Sequence, residues 1–88
     1  MWYCYVLESQ KNYRNYIGCT SDLKRRFDEH NSGLGGKYTK DNRPFCLVYY
    51  EAYVAKKDAM RAEKFYKTGN GREVLKGKLK EYLTITKT

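Results

Sequence analysis

Cysteine is scarce in this sequence, and its arrangement excludes two kinds of structure. The chain has three cysteines, and they form no Cys-x-x-Cys pair and no Cys/His spacing of the metal-binding kind. An odd number of widely separated cysteines argues against both a disulfide framework and a zinc site. We expect Cys4, Cys19 and Cys46 to be reduced and buried, and to pack as small apolar side chains.

Long apolar runs are also lacking. No stretch approaches the length of about 20 residues that a membrane-spanning helix needs, and no positively charged segment precedes an apolar one at the N-terminus, as in a secretory signal. We therefore expect a cytoplasmic protein. A chain of 88 residues has room for one domain. We place this domain at residues 1–83 and a frayed tail at residues 84–88.

Acidic residues are few relative to basic ones. Ten Asp and Glu residues face 18 Lys and Arg residues, which gives a net charge of +8. A small protein with this balance favours an anionic partner, and nucleic acid is the commonest one. The alternative is a basic, solvated surface that has no partner.

Residues 15–31 are predicted to form a short strand that turns directly into an amphipathic helix, because a β-favouring pair is followed by glycine and a Thr-Ser-Asp cluster. Helical spacing puts Arg26 and His30 on the same face as Leu23 and Phe27. The other charged residues of the helix point away from that face: Lys24, Arg25, Asp28 and Glu29. Two ionisable groups therefore share the packed face, which is typical of a functional site.

Two further strands are predicted. Residues 2–7 and 13–19 are expected to pair as an antiparallel hairpin, in which Tyr5 and Tyr16 can lie near each other. Alternation along the first strand puts residues 3, 5 and 7 on one face and residues 2, 4 and 6 on the other. The nearly continuous apolar run at 45–52 suits a central or well-covered third strand.

The segment at 31–44 is rich in glycine and in cations. Its spacing does not match a P-loop. Its glycines allow another backbone to approach, and Lys37, Lys40 and Arg43 are candidates for phosphate contacts. The alternative is a mobile, solvated loop.

A second long helix is predicted at residues 55–67, and Glu63 is a lone carboxylate on its small apolar stripe. Burying an unpaired carboxylate costs several kcal/mol, on the order of 3–5. Glu63 therefore needs a cation, a hydrogen-bond network or a divalent metal ion. The structural alternative to the metal is a salt bridge to an interior arginine such as Arg26. A last helix is predicted after the break at 69–71, and its apolar face consists of Leu75, Leu79, Tyr82 and Leu83.

Taken in order, these features resemble the GIY-YIG nuclease domain, in its stand-alone form related to the catalytic module of the bacterial nucleotide excision repair incision subunit. The match extends over residues 1–83. It is carried by Cys4-Tyr5-Val6, Tyr16-Ile17-Gly18, Asp22-Leu23-Lys24-Arg25-Arg26, His30-Asn31, Arg43-Pro44 and Glu63-Lys64. The resemblance implies an α+β fold, with a small three-stranded antiparallel sheet flanked by about three helices.

The resemblance also implies an activity, namely metal-dependent endonucleolytic hydrolysis of DNA, with structured or damaged DNA as one expected substrate. Tyr16 would be the general base or would position water, with Tyr5 beside it. Arg26 would neutralise phosphate charge, and His30 would assist proton transfer or contact phosphate. Glu63 would hold one divalent ion, Mg²⁺ or Mn²⁺. Which of Tyr5, Tyr16 and His30 takes the proton stays open.

Several positions depart from the family pattern. Tyr3 and Cys4 stand where the first motif has its glycine and isoleucine, Cys19 stands near a position where some relatives have lysine, and Ala62 precedes the metal glutamate in place of arginine. Asn70 is a candidate for the family's nucleic-acid-binding asparagine, although helix capping explains it equally well. The alternative functions are a catalytically weak or inactive nucleic-acid-binding module of the same fold and, less favoured, a protein-interaction domain.

Overall fold

The three-stranded antiparallel sheet predicted from the sequence is the centre of the molecule. A computed structural model describes residues 1–86. Its elements are β1 (Trp2–Ser9), β2 (Asn15–Thr20), α1 (Leu23–Ser32), α2 (Lys37–Asn42), β3 (Phe45–Tyr53), α3 (Lys56–Tyr66), α4 (Gly69–Lys78) and α5 (Lys80–Thr86). The strand order is β2-β1-β3, and β1 pairs antiparallel with both neighbours. Within residues 1–86, no helix is long and apolar enough to cross a membrane.

The central strand separates two small cores, as its alternation predicts. Tyr5 and Leu7 pack on one face with Phe45, against the partly buried residues Tyr16, Leu23, Phe27 and Leu47. Cys4 and Val6 pack on the opposite face with Ile17, Tyr66, Leu75 and Leu79. Helix α1 therefore covers one face of the sheet, and helices α3 and α4 cover the other.

The third strand lies at an edge of the sheet, so of the two predicted alternatives for residues 45–52 the central position is wrong, while residues of the strand do pack against both cores. Within residues 1–86, β3 pairs only with β1, and its residues after Phe45 are partly buried or exposed. An apolar run indicates that the two faces of a strand are covered, but it carries no information about which strands lie beside it. The prediction that all three cysteines are buried holds for Cys4, whereas Cys19 on β2 is partly buried and Cys46 on β3 is exposed.

The helical content exceeds the sequence prediction at two places. The glycine-rich segment, for which no helix was predicted, contains the short helix α2. The last predicted helix is divided into α4 and α5 at Leu79. Helix α5 continues to Thr86, so residues 84–86 are helical rather than a frayed tail, with the Thr84 hydroxyl donating to the Lys80 carbonyl. Residues 87–88 lie outside the described part.

Short polar contacts fix the connections around the sheet. Asp22 caps α1 by accepting a hydrogen bond from the Arg25 backbone, and α1 ends at Gly33 in the left-handed conformation. At the end of α1, Asn31 exchanges two hydrogen bonds with the Phe45 backbone, at 2.6 and 3.1 Å. These bonds tie α1 to the start of β3, so the packed face of α1, which carries Arg26 and His30, is held against the sheet.

Candidate active site

The two motif tyrosines lie side by side on the α1 face of the sheet. Tyr5 pairs with Gly18 across β1 and β2, and Tyr16 pairs with Leu7, so the tyrosines are diagonal neighbours. Their ring centroids are 6.5 Å apart, which confirms the predicted proximity. Gly18 is required opposite Tyr5, because a Cβ at this position would overlap the phenol ring. Tyr5 is buried, whereas Tyr16 keeps part of its ring in solvent.

His30 reaches the same place from α1. Its Nε2 lies 2.8 Å from the Tyr5 hydroxyl oxygen, and its ring packs edge-on against Tyr16 with the centroids 4.9 Å apart. The imidazole is 0% exposed. Burial, with help from the positive charge of Arg26, lowers the pKa of His30 to about 4. The ring is therefore neutral at pH 7 and does not meet solvent directly.

The second ring nitrogen of His30 decides where its proton sits. Nδ1 is buried and has no hydrogen-bond partner within the described chain. It lies against Gly35, where an added Cβ would overlap it. Because an orphaned buried N–H is rarer than an orphaned acceptor, the geometry favours the tautomer with the proton on Nε2. That N–H donates to the Tyr5 oxygen and leaves the Tyr5 O–H available to another acceptor.

Arg26 presents a fixed guanidinium beside the tyrosines. One of its nitrogens donates to Glu29 at 3.1 Å, and another donates to the Gly35 carbonyl at 3.3 Å. Burial raises the pKa of Tyr5 to about 12, the negative charge of a Tyr16 phenolate adds to this rise, and Arg26 opposes it. Burial is the largest single influence on Arg26 and lowers its pKa, but the hydrogen bonds to Glu29 and Tyr5, together with the charge interactions with Tyr5 and Tyr16, outweigh burial, so the net shift is upward. Arg26 thus stays charged beside the two phenols.

Glu63 lies on α3 and approaches the hairpin from the other face. Its side chain is 26% exposed, and it pairs with Lys67 at 2.8 Å. The predicted alternative of a salt bridge to Arg26 is not what forms, because the guanidinium is held by Glu29. Burial is the main cause of the raised pKa of Cys19, and the charge of Glu63 adds to it. The carboxylate is therefore within electrostatic range of β2.

The donor set can be tested against a divalent ion. Among residues 1–86, no three or more His, Cys, Asp or Glu side chains form a metal-binding group. Mg²⁺ and similar ions do not need such a cage, since they keep several waters and bind through one or two carboxylates plus substrate phosphates. Glu63 supplies one hard oxygen ligand, and the half-exposed Lys67 can turn away from it. The residues present fit an ion held mainly by Glu63 and by the substrate.

The predicted nucleic-acid-binding residues lie outside this cluster. Lys37 pairs with Asp41 across one turn of α2 at 3.0 Å. Arg43 lies against Gly33 at the end of α1, with Lys40 close by. Asn70 is exposed in the first turn of α4, and the cap of that helix is Thr68, so helix capping does not explain Asn70.

Three features of the site were not predicted. Glu29 was assigned to the solvated face of α1 but orients Arg26, because a side chain at the border of a helical face can turn either way. Gly35 lies against both the ring and the backbone of His30, so the predicted close approach of a backbone is accompanied by a contact with the imidazole that was not predicted. Tyr38, on the unpredicted helix α2, stacks on Tyr16 with centroids 6.2 Å apart and an interplanar angle of 19°. In the sequence, the two consecutive glycines at 35 and 36 were the one indication that this segment packs closely against α1.

Comparison with known proteins gives consistent matches. The GIY-YIG catalytic domain model matches residues 1–78. A UPF0213 protein of Streptococcus agalactiae is 48% identical over 65 residues, which are 74% of this chain and 73% of that protein. A UPF0213 protein of Streptococcus pyogenes is 46% identical over 65 residues, covering 74% and 70%. The solution NMR structure of a UPF0213 protein from Bacillus halodurans has 40% identity and a TM-score of 0.52, covering 85% of this chain and 82% of its own. The names of these relatives state no activity.

Proposed function

This chain belongs to the GIY-YIG family, and from that premise we propose that it is a metal-dependent endonuclease that hydrolyses phosphodiester bonds in DNA. The observation that carries the proposal is the convergence of Tyr5, Tyr16, Arg26 and His30 at one place on the hairpin. A basic module that only binds nucleic acid needs a positive surface. It does not need a neutral buried histidine bonded to a buried tyrosine.

Arg26 stabilises the charge that develops on the phosphate. Attack on a phosphodiester concentrates negative charge on the phosphoryl oxygens, and a positioned guanidinium lowers the barrier without having to reorganise. Glu29 and the Gly35 carbonyl already hold this guanidinium in place. Its partly exposed side chain can therefore meet a phosphate that enters beside Tyr16.

Tyr16 is assigned the contact with the attacking water, because it is the more exposed tyrosine of the pair. His30 is fully buried, so we assign it a positioning role instead of direct phosphate contact. The imidazole orients the Tyr5 hydroxyl, and Tyr5 in turn lies beside Tyr16. To take the proton from the attacking water, Tyr16 acts as the phenolate, with the Arg26 guanidinium as the nearby countercharge. The proton of the water then ends on the Tyr16 oxygen.

Glu63 holds the divalent ion in this proposal, Mg²⁺ or Mn²⁺. When bound, such an ion polarises the phosphoryl oxygens and offsets their charge. To bind the ion, the Glu63 carboxylate must exchange its ion pair with Lys67 for the metal.

We propose DNA as the substrate, including structured or damaged DNA of the kind that DNA repair acts on. The proposed location of the protein is the cytoplasm. Phosphate contacts are assigned to the exposed polar residues Lys37, Lys40, Arg43 and Asn70. These contacts position a strand without reading its sequence. We therefore expect footprints that show no strongly preferred sequence.

Replacement of Glu63 by Gln tests the metal assignment. Cleavage of labelled DNA in Mg²⁺ or Mn²⁺ should fall to the level seen in EDTA, because a neutral amide binds a hard cation poorly. The thermal unfolding midpoint and the DNA affinity in EDTA should stay close to wild type. Glu73→Gln removes a largely exposed carboxylate on α4, which, like Glu63, is paired with a lysine about one helical turn further along, and serves as the matched control. If Glu63→Gln cleaves normally, the metal ligand lies elsewhere.

A further inference from the structure

A groove of about 1140 Å³ borders the candidate active site along the free edge of β2. Tyr16 belongs both to the site and to the groove wall. The floor is apolar and is formed by Ile17, Leu75, Leu79 and Leu83. Further wall residues include two tyrosines, Tyr13 and Tyr38, and four cations, Arg14, Lys67, Arg72 and Lys76.

We propose that this groove binds an unpaired, single-stranded DNA segment next to the bond that is cut, with bases stacked on Tyr38 and Tyr13. The inference rests on the proposed nuclease function and names its substrate class. The groove would make the enzyme prefer DNA with single-stranded regions over a continuous duplex.

The aromatic wall supports this assignment. Tyr38 stacks on Tyr16, yet 42% of its surface is exposed. A nearly parallel pair of rings that leaves a free face beside a groove is a platform on which a base can continue the stack. Base–aromatic stacking is the usual way in which proteins hold single strands without sequence preference.

Tyr13 provides a second, independent observation. It has φ 62°, which makes it the one residue other than glycine with a positive φ in the described chain. A backbone position in this left-handed region favours glycine or asparagine. A tyrosine is held there instead, with its side chain 63% exposed. Backbone strain that presents an aromatic ring to a groove points to a function for the ring.

Charge in the groove matches a phosphate backbone. Arg14 and Arg72 have no carboxylate partner among residues 1–86, so both can meet phosphates. The carboxylate in the lining, Glu8, is 5% exposed and accepts a hydrogen bond from Tyr82 at 2.8 Å. It therefore presents little negative charge to a strand.

A duplex is a poor match to the same lining. Its base faces are stacked inside and its surface offers phosphates and groove edges, so the leucine floor and the tyrosine faces would have nothing to contact. An unpaired strand exposes both phosphates and base faces. The combination of cations, rings and apolar floor therefore selects the single strand.

The first test compares affinities for a labelled single strand and for a blunt duplex of the same sequence, in EDTA so that nothing is cut. Wild type should bind the single strand more tightly. Tyr38→Leu should weaken single-strand binding about tenfold and leave duplex binding nearly unchanged, while Tyr38→Phe should retain it. Tyr50→Leu is the matched control, since Tyr50 is an exposed tyrosine on the opposite edge strand β3.

Tyr13→Gly separates binding from folding. Glycine relieves the left-handed backbone, so the unfolding midpoint should stay the same or rise. Single-strand affinity should nevertheless fall about tenfold. A loss of binding in a variant that is at least as stable as wild type cannot be attributed to misfolding.

The outcomes distinguish this inference from the proposed function. Equal affinity for the two substrates, or full single-strand affinity in both Tyr13→Gly and Tyr38→Leu, overturns the groove assignment even if wild type cleaves DNA. A single-strand preference that these two variants remove supports the groove even if no cleavage is detected. Failure to bind any DNA overturns both proposals.

Discussion

At the scale of single residues, the unusual feature is a histidine that is kept neutral by burial. The only histidine of the chain lies beneath two tyrosines and is fully buried. Helical spacing predicted that His30 and Arg26 share the packed face of α1, and the structure confirms this. Spacing did not reveal that His30 contacts Tyr5, because a hydrogen bond between residues 25 positions apart leaves no trace in local periodicity.

Burial of His30 predicts a specific pH dependence of stability. Its pKa is about 4 in the folded state and near ~6.5 when unfolded. The unfolded chain therefore binds the extra proton first, so the stabilisation is complete above pH 6.5 and is lost as the pH falls toward 4. The shift corresponds to about 3 kcal/mol.

The free energy of unfolding measured between pH 7 and 4.5 tests this. Wild type should lose more stability over this range than His30→Gln, in which the titrating ring is absent and the carboxylates are unchanged. Equal losses in both proteins would contradict a depressed histidine pKa. A ring proton resonance that titrates near the ordinary value would contradict it as well.

At the scale of elements, the sequence predicts what depends on local pattern. The hairpin, α1 and α3 follow from alternation, helical spacing and capping residues, and they are found as expected. Helix α2 (Lys37–Asn42) was not predicted, because its side chains are mostly polar and two glycines come directly before it. Both features are typical of loops. The packing of α2 over His30 supplies the stability that its composition lacks. The edge position of β3 depends on strand order, which no local pattern records.

Gly35 controls how closely α2 approaches α1. In Gly35→Ala the added Cβ would meet the His30 ring and also lie 2.8 Å from the Thr39 hydroxyl, so we expect a loss of about 1–3 kcal/mol in the free energy of unfolding. Nuclease activity should fall as well, because the Gly35 carbonyl holds Arg26.

Gly77→Ala is the matched control. Gly77 lies within α4 and has open space around its Cβ position, so alanine should raise the free energy of unfolding by up to about 1 kcal/mol. Chemical denaturation of both variants measures the difference. Two variants with equal effects would show that Gly35 is not a close-packing position.

At the scale of the whole molecule, the excess of cations predicts the kind of partner, and the fold determines where the candidate site lies. The net charge of +8 attracts nucleic acid regardless of sequence, and composition alone predicts this. The site lies on the β1–β2 hairpin, where α1 brings Arg26 and His30 from one face of the sheet and α3 brings Glu63 from the other. Composition cannot predict that arrangement, but the ordered family motifs do.

The central claim is that the residues gathered on the hairpin cut DNA. The most direct test is a cleavage assay on labelled single-stranded, duplex and branched DNA in Mg²⁺, Mn²⁺ or EDTA. Wild type should nick DNA only with metal. Arg26→Ala should lower the rate about a hundredfold or more, and Tyr16→Phe by a similar factor. Lys57→Gln, which removes an exposed cation on α3, should cleave like wild type. Salt-sensitive binding of wild type without cleavage of any substrate in any metal would contradict the nuclease account and leave a binding module of the same fold.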